Sequence, residues 1–181
     1  NSERTKNHSF RNASEVRKLF QISFQWRSKY HHWKSRRIEK QHDSHQNQIM
    51  KTINQLTEEA IDLLKKLIET ESFSSEEDQT ALLLEEWFTS NKIPFKRENN
   101  NIWAYNLNYD ESKPNLLLNS HHDTVKPNQS YTLNPLEAIE KDGKLFGLGS
   151  NDAGGCLVSL MATFTYFYAF ENLPYNLIIA T

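Results

Sequence analysis

A chain of 181 residues that is 37% hydrophobic and 24% charged has enough apolar side chains for one packed domain, and this composition excludes fibrous and wholly disordered classes. The single cysteine, Cys156, excludes an internal disulfide framework and fits a reducing compartment, with the cytoplasm expected; no window of about 18 consecutive apolar residues is present to span a membrane. The formal charge of −2 hides a division, because residues 1–49 carry 11 Lys and Arg against 4 Asp and Glu, a net +7, while residues 50–181 carry 10 against 19, a net −9.

The first 49 residues contain no glycine or proline and only a loose apolar pattern in Val16, Leu19, Phe20, Phe24, Trp26, Tyr30 and Trp33. They precede Met50, the first methionine, and everything patterned for a core comes after it. Residues 1–49 are therefore expected to be a basic extension, disordered or not native to the protein, and residues 50–181 the folded portion. A nucleic-acid or membrane-surface arm and an Arg- and Ser-rich transit peptide are the alternatives for the extension, with neither partner favoured.

After Met50, Thr57 is a plausible N-cap, with Glu58 and Glu59 in the first turn and Ala60, Leu63, Leu64, Leu67 and Ile68 repeating as one helical face. Ser74 to Asp78 offer a capping box, after which Thr80, Leu83, Leu84, Trp87 and Phe88 predict a second helix ending near Asn91. Pro94 interrupts helical propagation, and Ile102 to Leu107 read as a strand with Trp103, Tyr105 and Leu107 on one face. The continuous run Leu116-Leu117-Leu118 predicts a strand inside a sheet covered on both faces, delivering His121 at its end. A hairpin is expected over 138–146, folded about Asp142-Gly143. Gly154-Gly155 open a helix with Leu157, Leu160, Met161, Phe164 and Tyr168 at helical spacing, and Cys156 is expected to be a small buried residue on it. Leu177 to Thr181 form another buried strand, so helices first precede and then alternate with strands, which argues for an α/β sandwich.

Two motifs carry chemistry. On extended backbone, residues i and i+2 point the same way, so His121 and Asp123 can lie side by side with the carboxylate accepting from the imidazole. If one ring nitrogen binds a metal, the other N–H needs such an acceptor, and Asp123 is placed to be it. The second motif gathers Gly147, Gly149, Gly154 and Gly155, four of the five glycines in the chain, around Asp152. A dinucleotide-binding loop would need glycine at position 152, where a carboxylate would repel a pyrophosphate. A carboxylate on a tight loop is instead suited to bridging two cations, with helix capping as its bland alternative.

The segments Ser120-His121-His122-Asp123-Thr124-Val125-Lys126-Pro127 and Asn134 to Gly155, ending Leu148-Gly149-Ser150-Asn151-Asp152-Ala153-Gly154-Gly155, resemble the co-catalytic zinc hydrolases. That family includes acetylornithine deacetylase, succinyl-diaminopimelate desuccinylase, aminoacylase and carboxypeptidase G. The resemblance runs from about Met50 to Thr181 and is most similar to acetylornithine deacetylase-like members. It implies a three-layer α/β/α sandwich of the zinc-exopeptidase type, present as its N-terminal portion only, without the lid and dimerisation domain. It implies two divalent ions, zinc or alternatively cobalt, with His121 as a ligand of one, Asp152 bridging both, and Asp123 as the catalytic-site aspartate that orients His121. Leu148 and Ala153-Gly154 depart from the family pattern of a basic or larger residue before the second glycine and Met-Lys after the bridging aspartate. His122 falls on the opposite face and is expected to be peripheral.

The function so implied is removal of an acyl group from an N-acyl amino acid, N-acetylornithine first, a step of arginine biosynthesis, by a homodimer in its full-length form. The general-base glutamate and the remaining ligands are expected beyond Thr181. The alternatives are a dipeptidase, a carboxypeptidase or a non-catalytic member of the same fold, and a metal-binding domain carrying a basic nucleic-acid-binding arm.

Overall fold

A computed structural model describes residues 51–181; the basic extension lies outside the described residues. The first helix, α1, spans Ile53–Glu69 and begins at a capping box. Thr52 Oγ1 accepts the Gln55 N–H at 3.2 Å, and the Thr52 N–H donates back to Gln55 Oε1 at 2.8 Å, satisfying two amides that the first turn leaves open. The helix therefore starts ahead of Thr57, the cap expected from the sequence. Thr57 is buried inside the helix, where its hydroxyl donates to Ile53 O at 2.8 Å. The expected face is otherwise as read: Ala60, Leu63, Leu64, Leu67 and Ile68 are all buried.

Helix α2, Asp78–Ser90, buries Thr80, Ala81, Leu84, Trp87 and Phe88. No side chain caps its first turn. Glu77 turns its carboxylate outward to accept the Ser75 N–H at 2.6 Å and the Asn100 amide at 2.8 Å.

Strands β1 (Lys96–Glu98), β2 (Asn101–Tyr105), β3 (Asn115–Asn119) and β6 (Asn176–Ala180) make a four-stranded sheet in the order β1-β2-β6-β3. A separate hairpin pairs β4 (Ile139–Lys141) with β5 (Lys144–Phe146) about Asp142 and Gly143, both with positive φ, as two-residue hairpin turns require. Helix α3, Gly155–Phe167, lies between the hairpin and β6. The pairing of β6 is antiparallel to β2 and parallel to β3, so the last strand in sequence is interior.

Ile102 and Ala104 of β2 and Leu177 and Ile179 of β6, with Ala104 opposite Ile179, join Leu64, Leu84, Phe88, Leu157, Met161 and Phe164 in one core shared by the three described helices. Phe88 and Phe164 are fully buried and meet edge to face at 6.5 Å between centroids. This packing adds to one expectation and corrects another. Trp103 and Tyr105 do share a face, but the helices cover the face of Ile102 and Ala104, leaving Tyr105 and Leu107 exposed. Among the described residues strand β3 is at the sheet edge and nothing covers the face opposite the helices, so Leu117 is 56% exposed and only Leu118 packs against the core. A continuous leucine run gives no alternation from which an edge can be read. Cys156, expected to be buried, is exposed at the second position of α3.

The start of the parallel pair is pinned by a buried side chain. Asn176, opposite Asn115, accepts the Asp110 N–H at 2.9 Å. Its amide lies within bonding distance of Asp110 O, Lys113 O and Asn115 Oδ1. Removing that fully buried amide breaks the hydrogen bonds that tie β6 to 110–115, so Asn176→Ala is expected to cost about 1–3 kcal/mol in urea denaturation. Leu117→Ala, on the open edge, is expected to change stability by no more than about 0.5 kcal/mol.

Candidate metal centre

Strand β3 ends at Asn119, and the ladder closes with the Ser120 N–H donating to Ala180 O at 3.3 Å. The chain then leaves the sheet at the carboxyl ends of two parallel strands, the region where open α/β sheets place their sites. Extended backbone here puts His121 and Asp123 on one side, and His121 Nδ1 lies 2.9 Å from Asp123 Oδ1. The other oxygen, Asp123 Oδ2, accepts the Ser74 hydroxyl at 2.5 Å. That hydrogen bond, foremost, and the neighbouring His121 hold the Asp123 carboxyl below its ordinary pKa against the opposing effect of burial. Asp123 is therefore an anionic acceptor at neutral pH, and the Nδ1 of His121 carries the proton.

His122 points elsewhere. Its Nε2–H donates to Asn100 O at 2.9 Å, and its Nδ1 meets Thr80 Oγ1 at 2.8 Å. These contacts tie the segment after β3 to α2 and to the turn before β2, so both ring nitrogens of His122 are engaged away from Asp152.

Asp152 arrives from the glycine loop. Gly149 has φ +74, and a Cβ there would lie 2.8 Å from Thr124 Cγ2, so both the conformation and the space call for glycine. Gly154 donates its N–H to Gly149 O at 2.8 Å and lies against Leu64, whose Cδ1 a Cβ would meet at 2.7 Å. The loop is thus closed on itself and pressed onto α1. The Asp152–Ala153 peptide is cis. Asp152 makes no capping bond to α3; its carboxylate is instead 85% exposed, with Oδ1 3.3 Å from His121 Nε2. An open cleft of about 520 Å³ adjoins His121, lined also by Asn101, Trp103, Asn119, Ser120 and Thr181.

The donor set fits part of a metal site. Two ligands each about 2.0–2.1 Å from one tetrahedral zinc stand about 3.3 Å apart. The His121–Asp152 separation is also 3.3 Å, and with Nδ1–H committed to Asp123 a neutral His121 ring would present its lone pair at Nε2. Among the described residues no three His, Cys, Asp or Glu side chains converge as a metal-holding group. His121 and Asp152 are thus a facing pair of candidate donors, with Asp123 behind the first.

The local pattern of the sequence contains His121, Asp123 and Asp152. It contains no sign of Ser74, which lies 49 positions from Asp123 and reads locally as part of a helix-capping phrase. Thr80 and Asn100, the partners of His122, were likewise hidden in a helix stripe and a turn.

No family model and no curated protein matches the chain. Solved structures do. The chain is similar to human carnosine dipeptidase 1, with 20% identity, 71% of this chain and 32% of that chain covered, and a TM-score of 0.58. It is similar to a di-peptidase of Saccharomyces cerevisiae, with 20% identity, 71% and 32% covered, and a TM-score of 0.53. A third similar structure is an M20 family metallo-carboxypeptidase of Sulfolobus solfataricus, with 18% identity, 67% and 30% covered, and a TM-score of 0.56. The described residues have the α/β fold of these structures, as the sequence reading expected, and the chain spans about a third of their length.

Replacing Asp123 by Asn keeps its size and removes the charge behind the imidazole. Asp123→Asn is expected to weaken zinc binding by about 10–100-fold, measured by chelator competition on the full-length protein. Unchanged affinity would reduce the His121–Asp123 contact to coincidence.

Proposed function

We propose that these residues form part of a metal-dependent hydrolase that cleaves an amide bond in a small substrate. One observation carries this reading: His121 Nε2 and Asp152 Oδ1 face each other at 3.3 Å while Nδ1 is already paired with Asp123. A bare nitrogen lone pair and a carboxylate oxygen repel, so a cation must stand between them, either a proton on the ring or a metal ion. The second aspartate behind the ring and the glycine-shaped loop that presents Asp152 to solvent favour the metal.

In this proposal His121 donates Nε2 to one ion, and Asp123 holds the ring in the tautomer that leaves Nε2 bare. Asp152, with two oxygens on an exposed carboxylate, would be the residue able to hold two ions, zinc first and cobalt as the alternative. A bound divalent ion supplies Lewis acidity, which polarises a scissile carbonyl and makes water a nucleophile at neutral pH. The cleft beside His121 and Thr181 receives the substrate. The group that accepts the water's proton and passes it to the leaving amine is proposed to be a glutamate beyond the described residues.

For the substrate, the wording of the two motifs favours an N-acyl amino acid, N-acetylornithine first. The likeness in fold to two dipeptidases and a carboxypeptidase supports a peptidase of the same fold equally. Assays of the full-length protein with N-acetylornithine and a dipeptide series, under zinc or cobalt, separate the two. Ornithine release supports the deacetylase, dipeptide cleavage without deacetylation replaces it by the peptidase, and inactivity on both classes overturns the hydrolase.

With His121, Asp123 and Asp152 in place and no group of three donors among the described residues, the purified 181-residue chain is expected to hydrolyse neither substrate class. Zinc-dependent turnover by this chain would overturn the incomplete-site reading. In the full-length protein, His121→Ala and Asp152→Ala are each expected to abolish turnover, the latter with loss of metal by elemental analysis. Retained metal stoichiometry in Asp152→Ala would count against a bridging role.

A further inference from the structure

The Asp123 carboxylate has two oxygens and a broad terminal torsion, so holding His121 requires something that decides which oxygen faces the ring. The ring also has a choice, because His121 Nδ1 lies 2.9 Å from Asp123 Oδ1 and 3.2 Å from the backbone O of the same residue. The Ser74 hydroxyl settles both. It reaches Asp123 Oδ2 at 2.5 Å, and as an O–H facing a carboxylate it can only donate. With Oδ2 so fixed, Oδ1 is presented to Nδ1.

We propose that Ser74 is a positioning residue of the metal centre, acting through Asp123 on the orientation of His121. This rests on the metal reading given above. The placement of Ser74 is built by backbone bonds that do not involve its side chain. The Thr124 N–H donates to Ser72 O at 2.7 Å, Phe73 and Thr124 form a parallel bridge, and the Ser75 N–H is held by Glu77 at 2.6 Å. The loop between α1 and α2 is thereby laid along the segment that bears the ligand. Ser74 itself is exposed, so its hydroxyl contributes little to the core. Asp123 is the partner that makes the hydroxyl matter.

The test uses the full-length protein with zinc alone as the probe of binding, by chelator competition, and with thermal melting of the metal-free form. Ser74→Ala is expected to weaken zinc binding by about 10-fold. It is also expected to lower kcat with KM unchanged and to leave the metal-free melting midpoint where it was. Ser74→Thr, which keeps the hydroxyl, is expected to restore affinity and kcat. Wild-type affinity in Ser74→Ala while His121→Ala loses zinc would overturn the role of Ser74 and spare the metal reading. An equal loss in Ser74→Thr, or a fall in the metal-free midpoint of Ser74→Ala, would overturn it in favour of a structural role. Wild-type affinity in both Ser74→Ala and His121→Ala would overturn the metal reading on which it rests.

Discussion

The parallel pairing of β3 with β6 is the constraint on which the rest of the structure depends. Parallel strands cannot be joined by a tight turn, so the chain must leave the end of β3, cross over and return to the start of β6. It leaves through His121 to Asp123 and comes back through the Asp152 loop and α3. One topological requirement therefore brings both carboxylates and the imidazole to the same end of the sheet. The register is fixed at the other end, where buried Asn176 binds Asp110, Lys113 and Asn115. A one-residue slip would strand those groups and turn Leu177 and Ile179 out of the core.

Around that frame, the candidate site is held in layers, each fixed from a different direction. The glycine loop is closed by its own backbone bond and rests on Leu64 of α1. The segment after β3 is clamped by His122 to Thr80 and Asn100, and Asn100 is held in turn by Glu77. Ser74 approaches from the loop between α1 and α2. Helix α2 thus also carries a group that holds the site, because Thr80 bonds His122 beside His121. Such indirect support is what gives a ligand a defined orientation without a large local core.

The sheet is unevenly covered among the described residues. Its helical face is buried, whereas the opposite face shows Tyr105 at 39% exposure and Leu117 at 56%. The core and the candidate site therefore lie on elements of different security. Strand β6 is buried between two partners, and β3, which leads to His121, is bonded on one side only. Beyond the sheet, the segment that bears His121 is anchored by hydrogen bonds from 72–80 to 122–124.

The sequence by itself determined the parts whose signal is local. The apolar stripe of α1, the hairpin at Asp142-Gly143, the helix after Gly155 and the His121–Asp123 pair follow from periodicity, turn chemistry and i,i+2 geometry, all of which act within a few residues. The true start of α1 was legible too, because Thr52 and Gln55 have capping-box spacing; Thr57 competed only because it precedes two acidic residues. The tertiary structure alone decided which face of β2 is covered, that the leucines of β3 lie on an edge, and that Cys156 is exposed. It alone decided that His121 and Asp152 stand 3.3 Å apart and that Ser74 reaches Asp123 across 49 positions. Those outcomes depend on strand order and on which distant backbones are laid together, and no pattern of neighbouring residues contains that information.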